Sequence, residues 1–244
     1  MTPKTPPIPI EPGGTPAETS SDNEVAEFLA KMKAMAPAPG SQAERGRLIF
    51  AMDATMSRQP TWDRALQIQA EMFAETARIG GLDVQLVYFR GFGECRASKW
   101  VSDPTALARL MTATQCRGGN TQIGKVLAHI LKEASRRKVN AVVYVGDCME
   151  ENVDQLCARA GEIGILGVPM FMFQDGREPL AEQAFREIAR LTRGAYCRFD
   201  QGSARQLREL LAAVAVYAAG GRRALAELSR GRGGEATLLL EQLK

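Results

Sequence analysis

The chain has few of the residues that usually carry catalysis, zinc binding or a membrane span. It has one histidine, five cysteines and an aromatic content of 6% in 244 residues. The cysteines are odd in number and widely spaced, with no C-x-x-C pair, so neither a disulfide framework nor a zinc knuckle is indicated. The longest apolar run near the C-terminus, "LLAAVAVYAA", is too short to cross a bilayer. No apolar secretory segment opens the sequence, so we expect a cytoplasmic protein with reduced thiols.

Signals for nucleotide and nucleic-acid binding are weak as well. The sequence has no G-x-x-x-x-G-K-[ST] loop, and "RGFGECR" contains only G-x-G, which we interpret as a turn. The formal charge is +3 and the pI is about 8.6, and basic residues do not interleave with aromatic ones. RNA binding stays an alternative, in which Arg58, Arg117 and Lys125 would contact phosphate groups.

The two ends of the chain differ from its centre. Eight of the twelve prolines fall in residues 1–45, and "TPPIPIEPGGTP" has no packable period, so this segment is predicted to be a flexible tail. Within it, helical spacing of apolar residues predicts a helix over 22–35, which either docks on its own domain or binds a partner. A Gly-Gly break leads into a second tail, 221–244, with a short helix. Residues 46–220 are predicted to form one domain.

Strands and helices alternate between the two tails. The strand sequences "RLIFAM", "NAVVYVGD" and "VPMFMFQD" are continuous apolar runs, which are typical of a parallel sheet covered on both faces. "LDVQLVYFR" is followed so closely by "CRASKWV" that this pair is predicted to be antiparallel. The predicted fold is therefore α/β: a doubly wound, mostly parallel sheet with one antiparallel edge strand and helices on both faces. The helices are predicted over 62–79, 103–115, 121–137, 152–164, 180–192 and 204–219.

Polar side chains follow two of the predicted strands, where parallel sheets of this kind bind ligands. Asp53 ends the first strand, and Asp147 ends "NAVVYVGD". Thr121, in "CRGGNTQIGK", lies at a loop-to-helix junction, and "DATMS" adds Thr55 and Ser57. We expect these five oxygen-bearing side chains to converge from three loops. Oxygen ligands without His or Cys favour Mg²⁺, with Mn²⁺ or Ca²⁺ as alternatives, over zinc or copper.

The same residues resemble the metal-ion-dependent adhesion site of von Willebrand factor type A (VWA) domains, which reads D-x-[ST]-x-S, then a distant T, then a D. "DATMS" supplies the first part, Thr121 in "GGNT" the second and Asp147 in "VGD" the third. The likeness runs from about Gly46 to Ala219 and is to bacterial intracellular members. Two positions depart from the family pattern: Thr55 stands where Ser is most common, and Cys148 stands where Gly is commoner.

The resemblance implies a metal-dependent protein-binding module rather than an enzyme. Thr55, Ser57 and, in one state, Thr121 would contact the ion, while Asp53 and Asp147 would largely hold its waters. An Asp or Glu carboxylate of a partner protein would fill the open coordination position. Bacterial relatives frequently work beside AAA+ ATPases or in stress-response and cofactor-maturation systems. The resemblance therefore implies a protein partner such as an AAA+ ATPase, while the short apolar runs lead us to expect no membrane.

Two features of the sequence argue against an enzyme. Phosphatases that attack with a strand-end aspartate also resemble "DATMS", but they need a second carboxylate two residues on, where this chain has Thr55. The single histidine, His129, lies away from the apolar stripe of its helix, so we expect it at the surface without a catalytic role.

Glu150 and Glu151 follow Asp147 closely, and they either repel an acidic partner or serve a helix N-terminus.

Overall fold

The computed structural model describes residues 45–58 and 82–199, together with Glu27 and Ala218. These residues contain one six-stranded sheet: β1 (Gly46–Asp53), β2 (Leu82–Arg90), β3 (Glu94–Ala97), β4 (Ala141–Gly146), β5 (Met170–Asp175) and β6 (Ala195–Phe199). The described ranges also contain four α-helices: α1 (Pro104–Thr112), α2 (Ile123–Arg136), α3 (Val153–Ile165) and α4 (Pro179–Leu191). A single turn of 3-10 helix, Met56–Arg58, follows β1.

The strand order in the sheet is β3-β2-β1-β4-β5-β6. The β2 and β3 strands pair antiparallel, and every other neighbouring pair is parallel. This confirms the predicted doubly wound sheet with one antiparallel edge strand. The chain runs outward from β1 to β2 and β3 and then returns to β4, so the order reverses between β1 and β4. Ligands bind such sheets at that switch point.

The central strand β1 is buried along its whole length. Ile49 and Ala51 pack in one cluster with apolar residues of α2, α3 and α4. Leu48, Phe50 and Met52 point to the opposite face and are also buried, with at most 1% of their surface exposed. Since successive side chains of a strand alternate between faces, burial on both faces requires the continuous apolar run seen in the sequence.

Three of the described helices begin at side chains that cap their first turn, and at α4 the Glu178 carboxylate accepts from the backbone N–H groups of Leu180 and Ala181. The Asp103 carboxylate accepts hydrogen bonds from the backbone N–H groups of Thr105 and Ala106 at the start of α1, and a proline follows it. The Asn152 side chain accepts from the backbone N–H of Gln155 at the start of α3. These caps fix where the chain enters each helix.

Three boundary or burial predictions were wrong. The strand predicted from "CRASKWV" stops at Ala97, because the Ser98 hydroxyl accepts from the Leu86 N–H and interrupts the ladder, and only Val101 pairs again with β2, in an isolated antiparallel bridge to Val84. Helix α1 ends at Thr112 rather than at residue 115, and the hydroxyl of Thr112 bonds back to carbonyls of its last turn. His129 is half-buried rather than at the surface, because its Nε2 lies 2.8 Å from the Gln85 side chain.

Several predictions lie outside the described residues. These are the tails 1–45 and 221–244, the helix over 22–35, and the helices over 62–79 and 204–219, apart from the few described positions within them. Within the described ranges, no helix combines the length and the apolar character needed to span a bilayer.

Candidate metal centre

The loop after β1 carries the first three predicted site residues. Asp53 ends β1 and is fully buried, and its Oδ1 accepts a hydrogen bond of 2.7 Å from the backbone N–H of Thr55. This aspartate turn places the buried Thr55 hydroxyl 3.0 Å from the exposed Ser57 hydroxyl. The structure therefore brings Asp53, Thr55 and Ser57 together on one short loop.

A second loop, residues 113–122, is held against the first. The backbone N–H of Arg117 donates to the Ala54 carbonyl at 3.0 Å, next to an isolated bridge between Thr55 and Arg117. Gly119 is required here, because a Cβ at this position would lie 2.0 Å from the Gly91 carbonyl oxygen. Thr121 lies buried near the end of this loop.

The loop after β4 completes the arrangement and carries Asp147. It contacts the second loop through a reciprocal pair of hydrogen bonds: the Thr121 N–H donates to the Glu150 carboxylate, and the Glu150 N–H donates to the Thr121 hydroxyl, each at 3.1 Å. The Glu151 carboxylate accepts from the backbone N–H groups of Ile123 and of Gly124, the latter at 2.9 Å. These acids thus serve the N-terminus of α2, and not that of α3, which they precede in sequence.

Three potential ligand atoms lie close together at the switch point. One carboxylate oxygen of Asp53, one of Asp147 and the Sγ of Cys148 all lie within 4.8 Å of one another. Burial raises the pKa of Asp53 to about 7, although hydrogen bonds from Thr55 oppose this shift and the charge of Asp147 adds to it. Burial also raises the pKa of the Cys148 thiol to about 12, and the charges of Asp147 and Asp53 contribute.

Polar atoms at this site lack partners within the described part of the chain. Asp53 Oδ2, Asp147 Oδ1 and the Tyr144 hydroxyl are buried and make no hydrogen bond there. Burying an oxygen in this way costs free energy that native proteins normally recover with a partner. A divalent cation with its bound waters would satisfy the carboxylate oxygens and reduce the repulsion between the two aspartates. The residues present therefore fit such a cation, and their role as metal ligands stays a prediction.

Arg58 is placed differently from the sequence-based interpretation. Its side chain is 1% exposed and forms an ion pair with Asp175, which ends β5. The suggestion that it would contact phosphate is therefore wrong, because the guanidinium is buried. The partner could have been found by the rule that singled out Asp53 and Asp147, since Asp175 also ends a buried strand.

Exposed apolar side chains flank the same edge of the sheet. Met56 lies on the β1 loop with 53% of its surface exposed, and Phe92 lies in the turn after β2 with 88% exposed. That turn, Gly91 to Gly93, has left-handed backbone at both glycines and confirms the interpretation of "GFG". The Lys125 ammonium donates to the Gly93 carbonyl at 2.7 Å and holds the turn against α2.

Solved structures with the same fold are VWA domains and related proteins. The SpRpn10 VWA domain aligns with a TM-score of 0.56 over 68% of this chain and 94% of that domain, at 14% identity. A von Willebrand factor type A protein from Catenulispora acidiphila gives 0.57 over 70% of this chain and 43% of that one, at 17% identity. The pilus adhesin SpaC from Lactobacillus rhamnosus GG gives 0.59 over 75% and 31%, at 9% identity.

These likenesses show that the chain has the VWA fold. The chain spans less than half the length of the Catenulispora protein and about a third of the adhesin. No protein-family model matches the sequence, and neither does any curated protein.

Proposed function

We propose that the domain is a metal-dependent protein-binding module. Its Mg²⁺ site would be formed by Asp53, Thr55, Ser57, Thr121 and Asp147, with Mn²⁺ or Ca²⁺ as alternatives. The observation that carries the proposal is the pair of buried, unpartnered carboxylate oxygens of Asp53 and Asp147 at the switch point of a VWA fold. The bound cation would supply one open coordination position for an Asp or Glu carboxylate of a partner protein.

The loop geometry gives each side chain a defined part in holding the cation. Asp53 Oδ1 is fixed by the Thr55 N–H, which leaves Oδ2 as the oxygen available to a cation or to its water. The Thr121 hydroxyl accepts from the Glu150 N–H and keeps a second lone pair for a further partner. The reciprocal Thr121–Glu150 bonds therefore hold this hydroxyl in place and leave one of its lone pairs available.

The charge of the proposed ligand set leaves room for an acidic partner. Two of the five ligands are carboxylates, and the other three are neutral hydroxyls. The nearby Asp175 is already paired with Arg58, so its charge is compensated within the protein. A divalent cation that is neutralised by only two protein carboxylates attracts a third from outside.

The rim of the site suggests what surrounds that carboxylate on the partner. Met56 and Phe92 offer exposed apolar surface, and the Arg117 side chain beside them is 64% exposed. Aromatic, Met and Arg side chains are enriched in protein interfaces. We therefore propose a partner segment with an Asp or Glu next to apolar residues.

The alternatives are less well supported by the described residues. RNA binding loses Arg58 as a phosphate contact, because that residue is buried in an ion pair. A phosphatase mechanism lacks its second carboxylate, because Thr55 is buried at that position and bonds to Asp53. A cytoplasmic location and an AAA+ ATPase as the partner stay predictions.

Affinity capture from native cell lysate tests the proposal. The full chain is used as wild type in Mg²⁺, as wild type in EDTA, and as Asp53→Asn and Asp83→Asn in Mg²⁺. Asp83 is a matched control, because its carboxylate bonds to Arg45 and Ser102, remote from Asp53, near the start of β2. We expect a protein that is retained only by wild type and Asp83→Asn in Mg²⁺, and that is lost when one of its own acidic residues is replaced. Equal retention in all four samples would contradict the proposal.

A further inference from the structure

Cys148 occupies an unusual place at the candidate metal centre. It directly follows Asp147, and its Sγ lies within 4.8 Å of carboxylate oxygens of Asp53 and Asp147. The side chain is half-buried. In the described part of the chain, this is the one set of three acidic, cysteine or histidine side chains whose ligand atoms lie so close together.

A second observation at the two aspartates, independent of the clustering, supports a ligand here. Asp53 is 0% exposed, and its Oδ2 has no hydrogen-bond partner among the described residues. Asp147 is half-buried, and its Oδ1 is likewise a buried oxygen without a hydrogen-bond partner among the described residues. One carboxylate oxygen of each aspartate lies within 4.8 Å of the Cys148 sulfur, so a cation held between the two aspartates would lie within reach of that sulfur.

A sulfur atom changes which cations such a site prefers. Carboxylates and hydroxyls suit Mg²⁺, whereas a thiolate suits Zn²⁺ and similar ions, which accept mixed sulfur and oxygen ligands. We propose that Cys148 is a metal ligand that lets this site take a thiophilic divalent cation of the Zn²⁺ or Co²⁺ class in place of Mg²⁺. This inference rests on the proposed function, because it assumes that Asp53 and Asp147 hold a cation.

Binding of the thiophilic cation exchanges one bond for another. The S–H bond of Cys148 breaks, its proton passes to solvent, and the sulfur lone pair forms the bond to the cation. The site then contains three anionic protein ligands instead of two. The cation consequently attracts a partner's carboxylate less strongly, so the identity of the metal regulates partner binding.

Cobalt titration of the full, untagged, reduced chain tests this inference. Wild type is compared with Cys148→Ser and with Cys157→Ser, a control in which a half-buried cysteine outside the cluster is replaced. We expect a thiolate-to-cobalt charge-transfer band in the near ultraviolet for wild type and Cys157→Ser and no band for Cys148→Ser. Affinity for Co²⁺ falls roughly tenfold or more in Cys148→Ser, while affinity for Mn²⁺, followed by electron paramagnetic resonance, is unchanged. Cys148→Ala is the second variant if Cys148→Ser does not fold.

The two proposals fail in different ways. If wild type binds Mn²⁺ and Asp53→Asn does not, but Co²⁺ gives no thiolate band, the role of Cys148 is overturned and the metal site stands. A band that persists in Cys148→Ser also overturns it, because the sulfur then belongs to another cysteine. If Asp53→Asn binds Mn²⁺ as wild type does, the metal site itself is contradicted.

Discussion

The two ends of β1 each bury a charged side chain, and the protein treats the two charges differently. At the amino end, the Arg47 guanidinium donates to Glu133 at 3.1 Å and to the Arg137 carbonyl at 2.9 Å, and it stacks 3.8 Å above the Trp100 ring. At the carboxyl end, Asp53 has one oxygen bonded and the other without a partner among the described residues.

This contrast distinguishes a buried charge that is compensated within the protein from one that lacks such compensation among the described residues. Glu133 also accepts from the Trp100 indole N–H at 2.8 Å, so the charges at the amino end are compensated inside the protein. At the carboxyl end, Asp53 and Asp147 face each other, and burial raises the pKa of Asp53 to about 7. Groups that destabilise the free protein in this way are common at ligand sites. Replacing Arg47 and replacing Asp53 should therefore have opposite effects on stability.

The largest expected loss of stability is at the amino end. Arg47→Met leaves the buried Glu133 without its closest buried cation, so the free energy of unfolding falls by about 3 kcal/mol. Arg136→Met is the control: Arg136 also pairs with Glu133, but its side chain is 64% exposed, and its loss costs less than about 1 kcal/mol. Urea unfolding measures both. Equal losses in the two variants would contradict the prediction that the buried Arg47 pair contributes more to stability. The affinity for Mn²⁺ should change in neither variant.

At the carboxyl end, Asp53→Asn should stabilise the metal-free protein. The folded pKa of Asp53 is raised from 3.8 to about 7, so the folded state holds the proton more tightly, and stability falls as pH rises from about 4 to 7. Removing the charge therefore raises the free energy of unfolding by on the order of 2 kcal/mol above pH 7. Unfolding in EDTA at pH 5 and pH 8 tests this, with the gain largest at pH 8. A loss of stability at pH 8 would contradict it.

A comparison of two caps gives a smaller effect. Glu151→Ala and Asp103→Ala each remove a carboxylate that accepts two backbone N–H groups at a helix start. Each variant should lose about 1 kcal/mol of unfolding free energy. Only Glu151→Ala should also weaken Mn²⁺ binding, because Glu151 joins the loop of Asp147 to the helix that follows Thr121. Equal Mn²⁺ affinities in the two variants would show that this connection does not position the site.

The smallest effect on stability is expected at the rim. Phe92→Ser removes an 88% exposed side chain, so the free energy of unfolding should stay within about 0.5 kcal/mol of wild type. Affinity for the captured partner should fall severalfold, because the apolar rim is lost while the cation is retained. Surface plasmon resonance with immobilised partner measures this. Unchanged affinity would place the partner elsewhere on the domain.

The sequence predicts those parts of the fold and site that depend on local patterns. The apolar runs of β1 and β4 indicate a parallel sheet, and strand-end positions single out Asp53 and Asp147. Long-range pairs such as Arg58 with Asp175 and Arg47 with Glu133 are not visible in this way, because residues 117 and 86 positions apart meet only in the folded chain.

The role of the acids after β4 shows the same limit. Glu151 precedes α3 in sequence, and the sequence left open whether it repels an acidic partner or serves a helix N-terminus. In the structure it accepts from the first N–H groups of α2, 27 and 28 residues earlier. The contacts of Glu151 favour the helix-end interpretation, but the identity of the helix depends on long-range packing that the sequence does not reveal.

Divalent-cation binding by the full chain tests the central claim most directly. Mn²⁺ titration followed by electron paramagnetic resonance should show a single saturable site in wild type that Mg²⁺ displaces. We predict that Asp53→Asn loses this site and that Asp83→Asn keeps it. Binding of Mn²⁺ by Asp53→Asn with the affinity of wild type, or no binding by wild type, would contradict the claim that the Asp53 and Asp147 carboxylates hold a cation.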